Sequence, residues 1–111
     1  MFPAAPIISS NSMGATAVLI QGTACTLVAV RAINATAADA YVQLFDAALA
    51  ADVTVGTTVP SWAIQSDAND PSIGDGLPTN GIVFRNGIVA ASTTTSTGNT
   101  GATQHVKFVI I

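Results

Sequence analysis

The chain has 111 residues, of which 50% are hydrophobic and only 8% are charged, against about 25% charged residues in an average soluble domain. This length is sufficient for one domain with one hydrophobic core. A net charge of −3 with only three Lys and Arg residues, scattered along the chain, excludes nucleic-acid binding, which requires a surface that neutralises phosphates. No apolar run approaches the roughly 18 residues that span a bilayer, so no membrane partner is expected.

Residues 1–13 are predicted to form an extended N-terminal arm, because Pro3 and Pro6 favour extended backbone and lack the N–H group that a strand ladder needs. The candidate contacts of this arm with a neighbouring subunit are Phe2, Ile7 and Ile8. A frayed chain end is the alternative interpretation. The folded β domain is then predicted to span residues 14–111.

Strand formers dominate the sequence that follows, since Glu is absent and Thr, Val, Ile, Gly and Asn are abundant. Residues 14–20 and 24–34 are therefore predicted to be strands. Strict alternation along the second strand places four side chains on one of its faces: Leu27, Ala29, Arg31 and Ile33.

The stretch DAYVQLFDAA, residues 39–48, fits two structures. As a helix, its spacing of three and four residues collects one apolar face, made of Ala38, Tyr41, Val42, Phe45, Ala48 and Leu49. As a strand, it places Val42 and Leu44 on one face and Tyr41, Gln43 and Phe45 on the other, which is typical of a strand covered on both sides. Periodicity alone slightly favours the helix.

Turn signals divide the C-terminal half of the chain. Two Asn-Gly pairs, at residues 80–81 and 86–87, predict tight turns around the short strand IVFR, because both residue types accept a positive φ. A strand GIVAAS and a Ser/Thr-rich loop at residues 92–103 follow. The last strand alternates, with Val106, Phe108 and Ile110 on one face and His105 and Lys107 on the other.

Three pieces of sequence occur in the order YVQLFDAA, VTVGTTVP and GIVFRNGIVAASTTT. They resemble a family of small structural proteins of tailed-bacteriophage virions, whose pattern is aromatic-x-Q-L-F-(D/N), then G-T-x-P, then GI-x-F-x-NGI-(V/A)-x-(A/S). The resemblance covers residues 24–111. The matching residues are Tyr41, Gln43, Leu44, Phe45, Asp46, Gly56, Thr57, Pro60, Gly81, Ile82, Phe84, Asn86, Gly87 and Ile88.

The resemblance implies that YVQLFDAA, residues 41–48, forms a strand and that the fold is an all-β, single-domain antiparallel sandwich of jelly-roll-like form. The predicted core and motif residues are Tyr41, Val42, Leu44, Phe45, Trp62, Ile82, Phe84, Ile88 and Phe108. The implied function is not enzymatic. It is that of a capsid decoration or cement protein that contacts the major capsid protein or other virion proteins.

By analogy with such proteins, a homo-oligomer is expected, with a trimer as the specific form. The chain would be assembled in the host cytoplasm and reside in the virion, on the head surface. Two alternatives stay open: a component of the neck, tail or fibre, and a host-glycan-binding module.

No catalytic residue, cofactor or metal ligand is predicted. His105 is the only histidine and lies on the polar face of a strand, and the sequence contains no G-x-S-x-G run. Cys25, within an apolar run, is interpreted as a buried and unreactive thiol. One loop has oxygen ligands suited to calcium, but prolines break the EF-hand spacing and turn formation is the favoured interpretation. Its side chains are Asp67, Asn69, Asp70 and Asp75.

Two surface features bear on binding. Trp62 is the only tryptophan and lies in an apolar alternating segment, which favours a core position over an exposed platform for a sugar. The exterior must consist largely of Thr, Ser, Asn, Gly and Ala, and such a surface loses little solvation energy when it is buried against protein. A Thr-rich protein that stays monomeric is the alternative.

Overall fold

The computed structural model describes residues 7–68 and 77–111, which contain eight strands. A short 3-10 turn, Ala50–Asp52, is the only helical segment in these ranges. The described residues therefore contain no helix that could span a bilayer. The strands are β1 (Ile7–Met13), β2 (Val18–Gln21), β3 (Cys25–Ile33), β4 (Ala40–Asp46), β5 (Trp62–Ser66), β6 (Ile82–Phe84), β7 (Ile88–Thr93) and β8 (Gln104–Ile110).

The strands form two four-stranded antiparallel sheets, with the orders β1-β8-β3-β6 and β2-β7-β4-β5. The first and last strands pair, as do β2 with β7, β3 with β6, and β4 with β5. A long hairpin of four strand pairs is therefore rolled into two layers, and β8·β3 and β7·β4 ladders complete the sheets. This order is that of an eight-stranded jelly roll. The predicted all-β antiparallel sandwich is confirmed.

The main core lies between the two sheets. Both sheets contribute inward-facing side chains: Met13, Leu27, Val30, Ala32, Val42, Leu44, Ile64, Phe84, Ile88, Ala90, Val106, Phe108 and Ile110. Of the predicted core and motif residues, Ile82 packs partly buried against this core and Tyr41 is half-buried. The alternation predicted for the last strand places Phe108 inside and Lys107 outside, as observed.

Strand β4 is covered on both faces. Val42 and Leu44 face the main core, whereas Phe45 belongs to a second apolar cluster on the outer face of its sheet, with Val53 and Val89. Residues from the segment 47–55 pack against that cluster. The two-sided pattern of residues 39–48 is therefore a strand pattern, and the helical period is coincidental.

Strand β1 corrects the predicted boundary of the N-terminal arm. Residues 7–13 pair with β8 along their whole length, from Ile7 opposite Ile110 to Met13 opposite Gln104. The physical reason is that Pro3 and Pro6 both precede Ile7, so every residue from Ile7 to Met13 has an N–H group for the ladder. The sandwich therefore begins by residue 7, and Phe2 lies outside the described residues.

Strand β3 departs from the predicted alternation because of a bulge. The ladder to β8 shifts register between Leu27 and Ala29. One extra residue in a strand reverses the faces of the side chains that follow it. Leu27 accordingly lies in the core, while Ala29, Arg31 and Ile33 lie on the opposite, outer face.

Candidate functional site

The outer face of the β1-β8-β3-β6 sheet gathers most of the positive charge of the chain. Register partners in an antiparallel ladder project on the same face, and Lys107 of β8 is the direct partner of Arg31 of β3. Both side chains are exposed. His105 lies in the next row of the same face, opposite Ile33. We call Arg31, Lys107 and His105 the basic row.

This basic row corrects the expectation that the few cations are scattered. Among residues 7–68 and 77–111, neither Arg31 nor Lys107 has an anionic side chain as a partner. Two like charges on directly opposed residues destabilise a sheet. The isolated domain therefore carries an electrostatic penalty at this place, and an anionic group placed on the basic row would relieve it.

Beside the basic row, the same face carries apolar side chains. The adjacent row consists of Ile8, Val109 and Ala29. Ile8 is 68% exposed, and Val83 of the edge strand β6 is 69% exposed. The face thus combines a short positive row with exposed aliphatic groups, a composition that suits contact with another protein.

The described acidic residues all lie on or beside the other sheet. Asp39 precedes β4 and Asp46 ends it, while Asp52 lies in the 3-10 turn and Asp67 follows β5. Positive and negative side chains are thus separated between the two layers of the sandwich.

A groove of about 290 Å³ lies where β4 ends. Phe45 and Val53, both buried, line it together with Val59, which is 83% exposed. Two carboxylates also line this groove, those of Asp46 and Asp52. We call it the acidic groove. Its lining mixes apolar side chains with polar ones and carries negative charge at two points.

The two carboxylates of the acidic groove have different environments. Asp46 accepts hydrogen bonds from the backbone N–H groups of Asn86 at 2.8 Å and Arg85 at 3.2 Å. Partial burial raises the pKa of Asp46, but these bonds and the backbone N–H of Gly87 outweigh it and lower the pKa overall. Asp46 is therefore ionised and holds the Asn-Gly turn. The exposed carboxylate of Asp52 has no hydrogen bond within the described ranges.

The structure separates the two side chains that a nucleophilic mechanism would need. Cys25 begins β3, and the partner of His105, Ile33, ends it. Eight residues of strand correspond to about 25 Å. Cys25 also packs against the core. Burial, and secondarily the charge of Asp46, raise the pKa of its thiol, which disfavours the reactive thiolate.

The predicted calcium loop lies largely outside the described residues, which include Asp67 but not Asn69, Asp70 or Asp75. The backbone carbonyl of Asp67 accepts a hydrogen bond from the amide of Asn34, and its carboxylate accepts one from Gln65. No group of three or more His, Cys, Asp or Glu side chains in the described part of the chain is arranged to hold a metal ion.

Trp62 does not lie in the core, contrary to the prediction. It is the first residue of β5, an edge strand, and pairs with Leu44 on one side only. Its side chain is 38% exposed because no further strand covers the end of the sheet beyond it.

Buried glutamines order the Ser/Thr-rich loop. The amide of Gln43 donates hydrogen bonds to Thr93 Oγ1 at 2.7 Å and to the carbonyl of Gly98 at 2.9 Å. The amide of Gln104 donates to Ser92 Oγ at 2.8 Å. These contacts anchor both ends and the middle of the loop. A fully buried glutamine inside an apolar strand needs hydrogen-bond partners. The presence of a glutamine in such a strand was therefore the one sequence signal for these contacts.

Sequence reasoning missed the basic row and the acidic groove. Nothing in the spacing of Arg31 and Lys107 along the chain marks them as neighbours, because the β3·β8 register joins residues 76 positions apart.

No family model, curated protein or solved structure matches this chain.

Proposed function

We propose that this protein is a non-enzymatic structural component of a bacteriophage virion, a decoration or cement protein that bridges and stabilises subunits of the head. The proposal is carried by one structural observation, the absence of charge from all four edge strands of the sandwich. The resemblance of three sequence pieces to small virion proteins supplies the biological setting.

The four edge strands are β1 and β6 in one sheet and β2 and β5 in the other. Their sequences, IISSNSM, IVF, VLIQ and WAIQS, contain no charged residue and no proline. Natural proteins usually protect exposed edges with charges, prolines or bulges, because an open edge pairs with other chains. Strand β2 does have a bulge and β6 is short. Strand β1, with seven residues, has no such protection, which suits an edge that partner protein covers.

The chemistry of the exterior supports the same function. Burying Ser, Thr and aliphatic side chains against protein requires little desolvation compared with burying charges. Each contact of standard size removes about 800 Å² from each partner. Jelly rolls occur in viral capsid proteins and in lectins, so the fold is compatible with a virion role, although fold alone assigns no function.

The first test is to measure whether the chain is part of purified particles and in how many copies. Quantitative mass spectrometry against the major capsid protein gives the stoichiometry, and a particle reconstruction gives the position. The proposal expects many copies on the head surface. Few copies at one vertex or on the tail would support a neck, tail or fibre component instead. Absence from particles would refute both.

A second test concerns the unprotected edge. Ile8→Lys places a charge on β1, next to its exposed backbone, and is expected to weaken binding of the purified protein to particles that lack it. Thr97→Lys, in the exposed part of the Ser/Thr-rich loop, is the matched control for added charge. Equal binding of both variants and the unaltered protein would show that β1 is not a contact.

Host-glycan binding is the second candidate, and the exposure of Trp62 favours it. Aromatic rings that project from an edge strand provide a stacking surface for sugars. Glycan-array binding that Trp62→Ala abolishes, with an unchanged circular-dichroism spectrum, would support this alternative. If the protein is a decoration protein, we expect neither the unaltered protein nor the Trp62→Ala variant to bind glycans.

A further inference from the structure

The basic row and the acidic groove are complementary in charge but lie on different sheets of one molecule. The basic row projects from the outer face of the β1-β8-β3-β6 sheet, whereas Asp46 and Asp52 lie at the end of β4 in the other sheet. In the described part of the chain, neither Arg31 nor Lys107 pairs with these carboxylates. A second copy would bring the basic row and these carboxylates together.

We propose that the protein associates with itself head to tail, the basic row of one copy binding the acidic groove of the next. The charge complementarity identifies the occupant of the outer sheet face as a second copy of this chain. The inference adds a mode of assembly to the proposed virion role and does not depend on it.

The dimensions of the two surfaces agree with this contact. The groove volume of about 290 Å³ lies just below the range of small-molecule pockets, roughly 300–1,000 Å³, and suits a single long side chain. A lysine or arginine keeps its apolar stem on hydrophobic surface and its charge outside. Phe45, Val53 and Val59 offer that surface, and the two carboxylates offer the counter-charge.

The spacing of the cations adds a second point of contact. Directly opposed residues of an antiparallel pair have Cα atoms about 4.5–5.5 Å apart. When either Lys107 or Arg31 enters the acidic groove, the other therefore lies at its rim. The association would also remove the repulsion between the two cations, because each gains an anionic neighbour.

A contact between two different surfaces of the same chain is heterologous. Such contacts repeat from copy to copy and close into a ring or continue as a filament, depending on the rotation between copies. A trimeric ring, expected from the resemblance to virion proteins, is one closed form of this geometry.

Sedimentation analysis at low and high salt tests the proposal. The unaltered protein is expected to self-associate, with a dissociation constant that rises with salt. The double variant Arg31→Glu/Lys107→Glu and the variant Asp52→Lys should each raise that constant on the order of tenfold or more. Asp67→Lys makes the same charge change as Asp52→Lys at an exposed position outside the two surfaces and should not weaken association. Thr97→Glu adds negative charge in the exposed Ser/Thr-rich loop, also outside both surfaces, and should not weaken it either.

Mixing the two interface variants gives the decisive result. Each retains one intact surface: Asp52→Lys keeps the basic row, and the Glu double variant keeps the acidic groove. Their mixture should form heterodimers at concentrations at which each alone is monomeric. Circular dichroism verifies folding, which the double variant should retain since it replaces one like-charged pair by another.

Three outcomes would overturn the inference. These are a monomeric unaltered protein at low salt, association that the charge reversals do not change, and interface variants that do not associate when mixed. If the protein is monomeric but the Glu double variant no longer binds particles, the basic row contacts an acidic surface of another virion protein. In that case the virion role would survive while self-association would not.

Discussion

Two leucines five residues apart provide a test of the central structural assignment. If residues 39–48 are a strand, Leu44 is in the main core and Leu49 is on the surface, where it is 57% exposed. If the same residues formed the amphipathic helix that their period also permits, Leu49 would be buried and Leu44 would face outward. The strand therefore predicts a larger loss of stability for Leu44→Ala than for Leu49→Ala, and the helix predicts the reverse.

The magnitude follows from the burial of Leu44, which is 0% exposed. Leucine to alanine removes three carbon groups, worth about 0.8 kcal/mol each when buried. The cavity that remains after partial collapse adds about 1–2 kcal/mol. Leu44→Ala should therefore reduce the free energy of unfolding by about 4 kcal/mol, a large part of the roughly 5–15 kcal/mol that is typical of a domain. Leu49→Ala should change it by less than about 0.5 kcal/mol.

Urea unfolding measured by tryptophan fluorescence gives both values. The midpoint should decrease for Leu44→Ala with an unchanged slope, and the Leu49→Ala curve should coincide with that of the unaltered protein. A larger loss for Leu49→Ala than for Leu44→Ala would refute the strand assignment and the sandwich built on it.

Four further substitutions test other parts of the structure. Gly87→Ala should lower the free energy of unfolding by more than about 1 kcal/mol, measured by urea unfolding, because φ is +151° there and a Cβ would overlap two backbone carbonyls; unchanged stability would contradict the turn geometry. Asp46→Asn should lower it by about 1 kcal/mol at neutral pH. Because folding lowers the pKa of Asp46, its carboxylate stabilises the fold fully at pH values above the unfolded-state pKa. This stabilisation is lost as the pH falls through the folded-state pKa, so the stabilities of the variant and the unaltered protein should converge in acid. A stability difference that does not depend on pH would contradict this. Gln43→Leu should remove about 1–3 kcal/mol and accelerate hydrogen exchange in residues 94–103, which would exchange unchanged if the amide were not their anchor. Arg31→Glu should raise the melting temperature, because it places a carboxylate opposite Lys107, and should weaken self-association; a lower melting temperature would argue against the β3·β8 register.

The predicted increase in stability for Arg31→Glu separates the folding of one chain from the assembly of many. A substitution that improves the isolated domain and impairs association indicates that the native residue is retained for the contact. Such trade-offs are typical of functional sites, where local stability is lower than the fold permits.

Much of the secondary structure was determined by local sequence. Asn-Gly pairs mark the turns around β6, and the alternation in β8 identifies its core-facing residues, because both signals depend only on neighbours along the chain. The all-β class follows in the same way from composition. The prolines that precede Ile7 and the continuous strand after it show that even β1 could have been predicted from backbone donors.

Other features were decided by the tertiary structure alone. The bulge in β3 reverses the face of Arg31, and the β3·β8 register then places it beside Lys107. Trp62 is exposed because β5 lies at the edge of its sheet, and strand order is a property of the whole fold. A one-residue change of register moves every side chain to the other face. The surfaces proposed here for assembly therefore depend on pairings between distant segments, which no local pattern specifies.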